Sequence, residues 1–93
     1  MKELTLQNFK ETVNSPIPFQ NWSDEKLLKA HLDHDLELDS MEVIDLIAEF
    51  EVKYDVIIDT IKFDEITYPA AIEKDVATLL KVCNECMRPA HPQ

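Results

Sequence analysis

Apolar residues along this chain recur three and four positions apart, which is the period of helices, and seldom alternate as half-buried strands do. Leu6, Phe9 and Val13 share one side of a first helix over residues 5–14, which must stop before Pro16. "SPIPFQNW" is a proline-bearing loop. Ser23 then caps a short helical piece in which Leu28 and Leu32 share a face. Asp39 is the cap of the next helix, with Glu42 three residues later as its capping-box partner, and the helix runs to about Tyr54. "YDVIID" follows as a short apolar plug. One further short helix is expected over residues 61–66. Residues 67–69 open the last helix, since proline is tolerated in a first turn, and Ile72, Val76, Leu79 and Cys83 repeat on its inner face. The pattern predicts an all-α fold: a small bundle of three main helices plus a short minor one. It occupies residues 1–87 as a single domain, and residues 88–93 form a flexible tail.

Composition narrows the picture. At 93 residues the chain has room for one core only. Glycine is absent, which removes P-loops, dinucleotide-binding turns and glycine-rich hairpins together. The formal charge of −10, from 19 acids against 9 bases, opposes nucleic acid and anionic membrane surfaces. Basic protein surfaces are the matching partners, attracted at long range and released by salt. No apolar run approaches the roughly 20 residues that span a bilayer. "MKELTLQNFKE" has no signal-peptide core, so a cytoplasmic protein is expected.

Candidate chemistry is sparse. Cys83 and Cys86 form "CNEC", but His31, His34 and His91 offer no matching second pair for zinc, and the motif closes a helical pattern where a redox motif would open one. Cys83 is expected to pack as a small hydrophobe and Cys86 to be an ordinary thiol. "DHDLELDSMEVI" spaces its acids like a calcium loop, yet Leu38 and Ile44 stand where that loop needs glycine and a bidentate glutamate. Ser40 has no nearby base in the sequence and no glycine elbow, so hydrolase chemistry is not expected. The helix that Ser40 begins has two apolar sides. At about 100° per residue, Val43, Ile47, Phe50 and Tyr54 form a core stripe. Met41, Ile44, Ala48 and Val52 form a second stripe, and Glu42, Asp45, Glu49 and Lys53 fill the remaining sector. A helix apolar on two sides within so small a domain keeps one side for a partner, the alternative being that the second stripe is extra core or a dimer contact.

"DLELDSMEVIDLIAEFEVKYDVII" resembles the acyl carrier protein signature, in which Asp-Ser-Leu begins an acidic, apolar helix that leads to an aromatic and an aliphatic plug. The likeness extends from the short first helix to "DEITYPAAIEKDVATLL". It implies an acyl-carrier-like bundle and no catalytic activity of its own. Ser40 would carry 4′-phosphopantetheine, attached by a separate phosphopantetheinyl transferase, and Asp39 matches the aspartate before the modified serine. The implied protein is a monomer. It presents thioester-bound acyl groups to acyl-loading and ketosynthase-type enzymes of fatty acid, polyketide or related biosynthesis, through basic docking surfaces that meet Met41, Glu42, Ile44, Asp45, Ala48, Glu49 and Val52. An acyl chain would fold back into a cleft lined by residues such as Ile47, Phe50 and Ile66. Three positions depart from the family pattern: Met41 replaces the usual leucine, Glu37 the glycine two residues before the aspartate, and Val52 a frequent acid. The last two point to a specialised carrier. Fatty acyl, polyketide, aryl polyene and D-alanyl cargoes stay open, as does an unmodified adaptor with the same fold.

Overall fold

A computed structural model describes residues 3–90; the last three residues of the expected tail, His91 among them, lie outside these. Among the described residues the helices are α1 (Leu6–Thr12), α2 (Asp24–Lys29), α3 (Ser40–Tyr54), α4 (Thr60–Thr67) and α5 (Val76–Glu85). Each begins on a side-chain cap: Thr5, Ser23, Asp39, Asp59 and Asp75 accept from a backbone N–H in the first turn. Such a cap satisfies one of the four donors that a helix start leaves unpaired, for about 1 kcal/mol each. Thr5 and Asn8 close a full capping box on α1, and Asp39 and Glu42 close the expected one on α3.

The fold is mostly helical but not all-α. Val56–Ile58 is a strand, β1, and pairs antiparallel with β2 (Met87–Pro89), with Ile57 opposite Arg88. The apolar plug is therefore one half of a ribbon, and Arg88 and Pro89 sit in its other half and not in a frayed tail. Asp59 N–H donates to Cys86 O at 2.9 Å and Ala90 N–H to Asp55 O at 3.2 Å. By the alternation of an antiparallel ladder, residues 56, 58, 87 and 89 then turn their backbone groups outward. The N–H of Ile58 is met there by the Glu51 carboxylate at 2.9 Å, and Pro89 has no N–H to offer.

Two boundaries also move. Pro69 does not open the last helix: Thr67 ends α4, its hydroxyl donating to Phe63 O at 2.9 Å, and the Tyr68–Pro69 peptide is cis. A 3₁₀ turn (Ala71–Glu73) precedes the Asp75 cap, so Ile72 lies ahead of α5 and is half-buried. Helix α2 ends at Lys29, and its buried residue is Leu27, with Leu28 only half-buried and Leu32 in the loop beyond.

That loop is built into the core. Leu32, Leu36 and Leu38 are all buried, and the backbone around them is tied down. Leu32 N–H donates to Lys74 O, Asp33 N–H to Ile72 O and Leu38 N–H to Leu32 O, at 2.9–3.0 Å, and Ser15 Oγ donates to Leu36 O at 2.7 Å. With Leu36 and Leu38 both anchored inward, Glu37 between them takes a left-handed backbone at φ 54°. That conformation costs a non-glycine residue roughly 1–2 kcal/mol. Asp55, which closes α3 at φ 56°, is the other such residue among those described, and aspartate tolerates the region better. Across the molecule, the Asn84 amide accepts from Leu4 N–H at 2.6 Å and donates to Leu4 O at 3.0 Å, which fixes the incoming chain to α5.

Helix α5 packs against α1, α2 and α4, so Val76, Leu79 and Cys83 are almost wholly buried, as their spacing predicts. Cys86 is buried as well, at the C-terminal end of the helix, and is not the ordinary thiol expected. Burial, with a smaller effect of neighbouring Cys86, pushes the Cys83 thiol up to about 12. Burial also raises the Cys86 thiol, against a lowering by Lys62. At pH 8 the Cys83 thiolate fraction is then on the order of 10⁻⁴, and only the thiolate is nucleophilic. Iodoacetamide at pH 8 should leave Cys83 of the folded, unmodified protein unlabelled over the time that fully alkylates it in urea. Peptide mapping by mass spectrometry reads this, and fast labelling of Cys83 in the folded state would refute the packing described.

Candidate functional site

Ser40 is the first residue of α3, and its position is set from both sides. Upstream, the buried leucines fix the loop; downstream, the capping box fixes the helix start. Glu42 N–H donates to Asp39 Oδ1 at 2.8 Å, and Asp39 N–H donates to Glu42 Oε1 at 3.0 Å. The Ser40 side chain is exposed and its hydroxyl has no hydrogen-bond partner among the described residues. The N–H groups of Ser40 and Met41 are likewise unpaired by protein, because a helix start supplies no acceptor for them. An anion joined to the hydroxyl would meet those donors at the positive end of the helix dipole. No base contacts the hydroxyl: His31 and His34 are exposed in the preceding loop. Among the described residues, no three or more His, Cys, Asp or Glu side chains come together as a metal site.

A cavity of about 650 Å³ opens beside Ser40, between α3, α4 and the segment after Pro69. Val43, Ile44 and Ile47 of α3 form one wall. Phe63, with Thr60 and Asp64, forms the wall on α4, and residues 69–72 close the third side. Its size falls in the range of small-molecule pockets. Of the three residues expected to line an apolar cleft, Ile47 does so. Phe50 does not, because it points into the centre of the bundle and is wholly buried, and Ile66 is partly exposed on α4 outside the cavity lining. The residues missed, Phe63 and those at 69–72, lie on elements whose approach to α3 no local spacing reveals.

Around α3, the faces separate as the sequence predicts, with one addition. Val43, Ile47 and Phe50 are buried and Tyr54 is half-buried, while Leu46 joins them on the side toward α1. Its position between the core stripe and the acids had assigned it to neither. On the outer side Met41 is 62% exposed, Ile44 58% and Val52 82%, with Ala48 exposed between them. Asp45 and Glu49 are exposed beside this apolar strip, and Glu42 is half-buried because its carboxylate serves the cap. Lys53, grouped with these acids by spacing, is turned back to α1: its ammonium donates to Glu11 O at 3.0 Å. Helix α3 therefore presents outward an apolar strip edged with negative charge, its lysine engaged elsewhere.

These exposures separate two stability outcomes. Ile44→Ala should cost under about 1 kcal/mol, as at other exposed sites, whereas Phe50→Ala should cost about 3–5 kcal/mol through the cavity it leaves. Urea melts of the two variants check this, and equal losses would contradict the placement of the faces. Comparison with models of known protein families, with characterised proteins and with solved structures finds no match for this chain.

Proposed function

We propose that this chain is a carrier protein, holding an acyl group as a thioester on a 4′-phosphopantetheine arm attached to Ser40. The observation that carries the reading is the setting of Ser40: an exposed, unengaged hydroxyl at a helix start, at the rim of a largely apolar cavity. The resemblance of residues 35–58 to the acyl carrier signature supports the same assignment. In the attachment step, Ser40 Oγ attacks the phosphorus of coenzyme A that bears the pantetheine. A phosphodiester forms, adenosine 3′,5′-bisphosphate leaves, and the hydroxyl proton passes to a base of the transferase. The chain supplies the nucleophilic oxygen and the N–H groups that face the new phosphodiester. The bound arm supplies the thiol.

A carrier needs no catalytic residues, which accounts for a serine without a base. The cavity offers a place for an aliphatic acyl chain between α3 and α4. Asp45 and Glu49 steer the domain toward basic enzyme entrances, and Met41, Ile44, Ala48 and Val52 make the contact once docked. Encounters of this kind are weak and brief, as a carrier visiting several enzymes requires. The exposed strip on α3 also fits an adaptor that is never modified, and the fate of Ser40 separates the two.

Incubation of the purified chain with coenzyme A, magnesium and a broad-specificity phosphopantetheinyl transferase should add one arm per molecule, read by intact mass. Ser40→Ala should gain nothing. A wild type that stays unmodified with several transferases, its own host's included, would leave the adaptor reading in its place.

A second test addresses steering. Reversing Asp45 and Glu49 to lysine should slow acyl transfer to partner enzymes, and added salt should shrink the wild-type advantage as screening shortens the reach of both charges. Circular dichroism should change little, because both side chains are exposed. An unchanged transfer rate at low salt would remove the steering role.

A further inference from the structure

Six large apolar side chains are exposed among the described residues: Met41, Ile44 and Val52 on α3, Ile61 and Ile66 on α4, and Tyr68, which closes α4. Half of them therefore lie off the helix that Ser40 begins. Ile61 and Tyr68 repeat on α4 what the outer strip does on α3. Ile44 lines the cavity, and at about 100° per residue Met41 and Ala48 stand about 60° and 40° from it, on the solvent side. Asp64 lines the cavity from the other helix, with Ile61 three residues before it and Tyr68 four after, so both take the matching places. Phe63 and Thr67 are buried on the opposite flank of α4, while Ile61 is 75% exposed and Tyr68 79%. Both helices thus run in one order around the circumference, from core to cavity wall to exposed apolar side chains. Acids come next, Asp45 and Glu49 on α3 and Glu65 on α4. Lysine is withdrawn from both: Lys53 donates to Glu11 O, and Lys62 to Glu85 O at 3.3 Å.

The cavity mouth is therefore flanked on both banks by apolar surface, with acid outside it. Exposed apolar surface inside a polar rim marks a place where another molecule sits. The rim decides which. Two copies of this chain meeting about a two-fold axis would set acid margins against acid margins, in a chain of formal charge −10. The complementary surface has an apolar centre and basic margins. We propose that α4 supplies the second half of the docking face through Ile61, Tyr68 and Glu65. The enzyme that receives the acyl group straddles the cavity mouth, with lysines or arginines at both margins. This inference rests on the carrier reading. A partner seated on both banks closes the mouth, so an apolar chain passes from cavity to enzyme without crossing open water.

The test is acyl transfer at low salt from the loaded carrier to a ketosynthase-type enzyme of the host. It compares wild type with an Ile61→Ala, Tyr68→Ala double variant, Glu65→Lys and Ile66→Ala, each also melted thermally. Ile66 is exposed on the same helix but lies at least about 140° around it from Ile61 and Tyr68, and serves as the control. The double variant should melt as wild type does and lower kcat/KM about tenfold, mainly through KM, as loss of central interface contacts does. Ile66→Ala should transfer within about twofold of wild type, as residues outside such a contact do. Glu65→Lys should transfer more slowly, with a difference that shrinks as salt is added. Unchanged rates for the double variant or for Glu65→Lys would overturn the proposal. So would equal losses for the double variant and Ile66→Ala, or a double variant that melts well below wild type. Sedimentation that finds a wild-type dimer, dissociated by the double variant, would give the face to a second copy instead. A wild type that no transferase loads removes the carrier reading and this inference together, whereas a loaded wild type whose transfer ignores the α4 changes removes only the latter.

Discussion

Three leucines buried from within a loop are the constraint on which the rest of the molecule depends. Leu32, Leu36 and Leu38 carry irregular chain into the core, so its backbone groups must find partners away from water. They find them on residues 72 and 74, on the Ser15 hydroxyl and on one another. A loop held this tightly delivers Asp39 to its capping position and Ser40 to the first turn of α3 without any glycine. The left-handed backbone at Glu37 is the local consequence, and the surrounding hydrogen bonds keep it there.

Helix α3 then divides labour around its circumference. Its inner arc, from Leu46 through Phe50 to Ile47, is core. The arc toward α4 faces the cavity, and the outer arc carries apolar side chains between that cavity and the acids. Lys53, the helix's own cation, is held on a carbonyl of α1 and pairs with neither Asp45 nor Glu49. Charge and apolar surface are thus carried by different residues of the helix, and each can be altered without the other.

Much of this was legible in the sequence, because it is local. Caps are read from one side chain and a residue three positions on, so Ser23, Asp39 and the Glu42 partner fell where they were expected, as did the end of α3 at Tyr54. The exposed strip of Met41, Ile44 and Val52 followed from spacing alone. What stayed hidden depends on residues distant along the chain. Val56–Ile58 is too short to alternate visibly, and its partner strand lies some thirty residues on. Leu46 needed the position of α1 to become core. The cavity needed α4 and the segment after Pro69, which is why Phe50 and Ile66 were wrongly expected to line it. Pro69 itself suited a first helical turn as well as it suits the turn it occupies.

The ribbon of β1 and β2 has a consequence for how the protein behaves in a crowd. A two-stranded sheet leaves two open borders, each a template on which a foreign strand can grow. Here one border has its Ile58 donor occupied by Glu51, and the other carries Pro89 where a donor would stand. Neither border offers an unbroken ladder. Molecules packed closely together, whose mutual repulsion is weakened by salt, still find no place to begin a shared sheet, and the strand pair remains a private clasp instead of a seed for polymer.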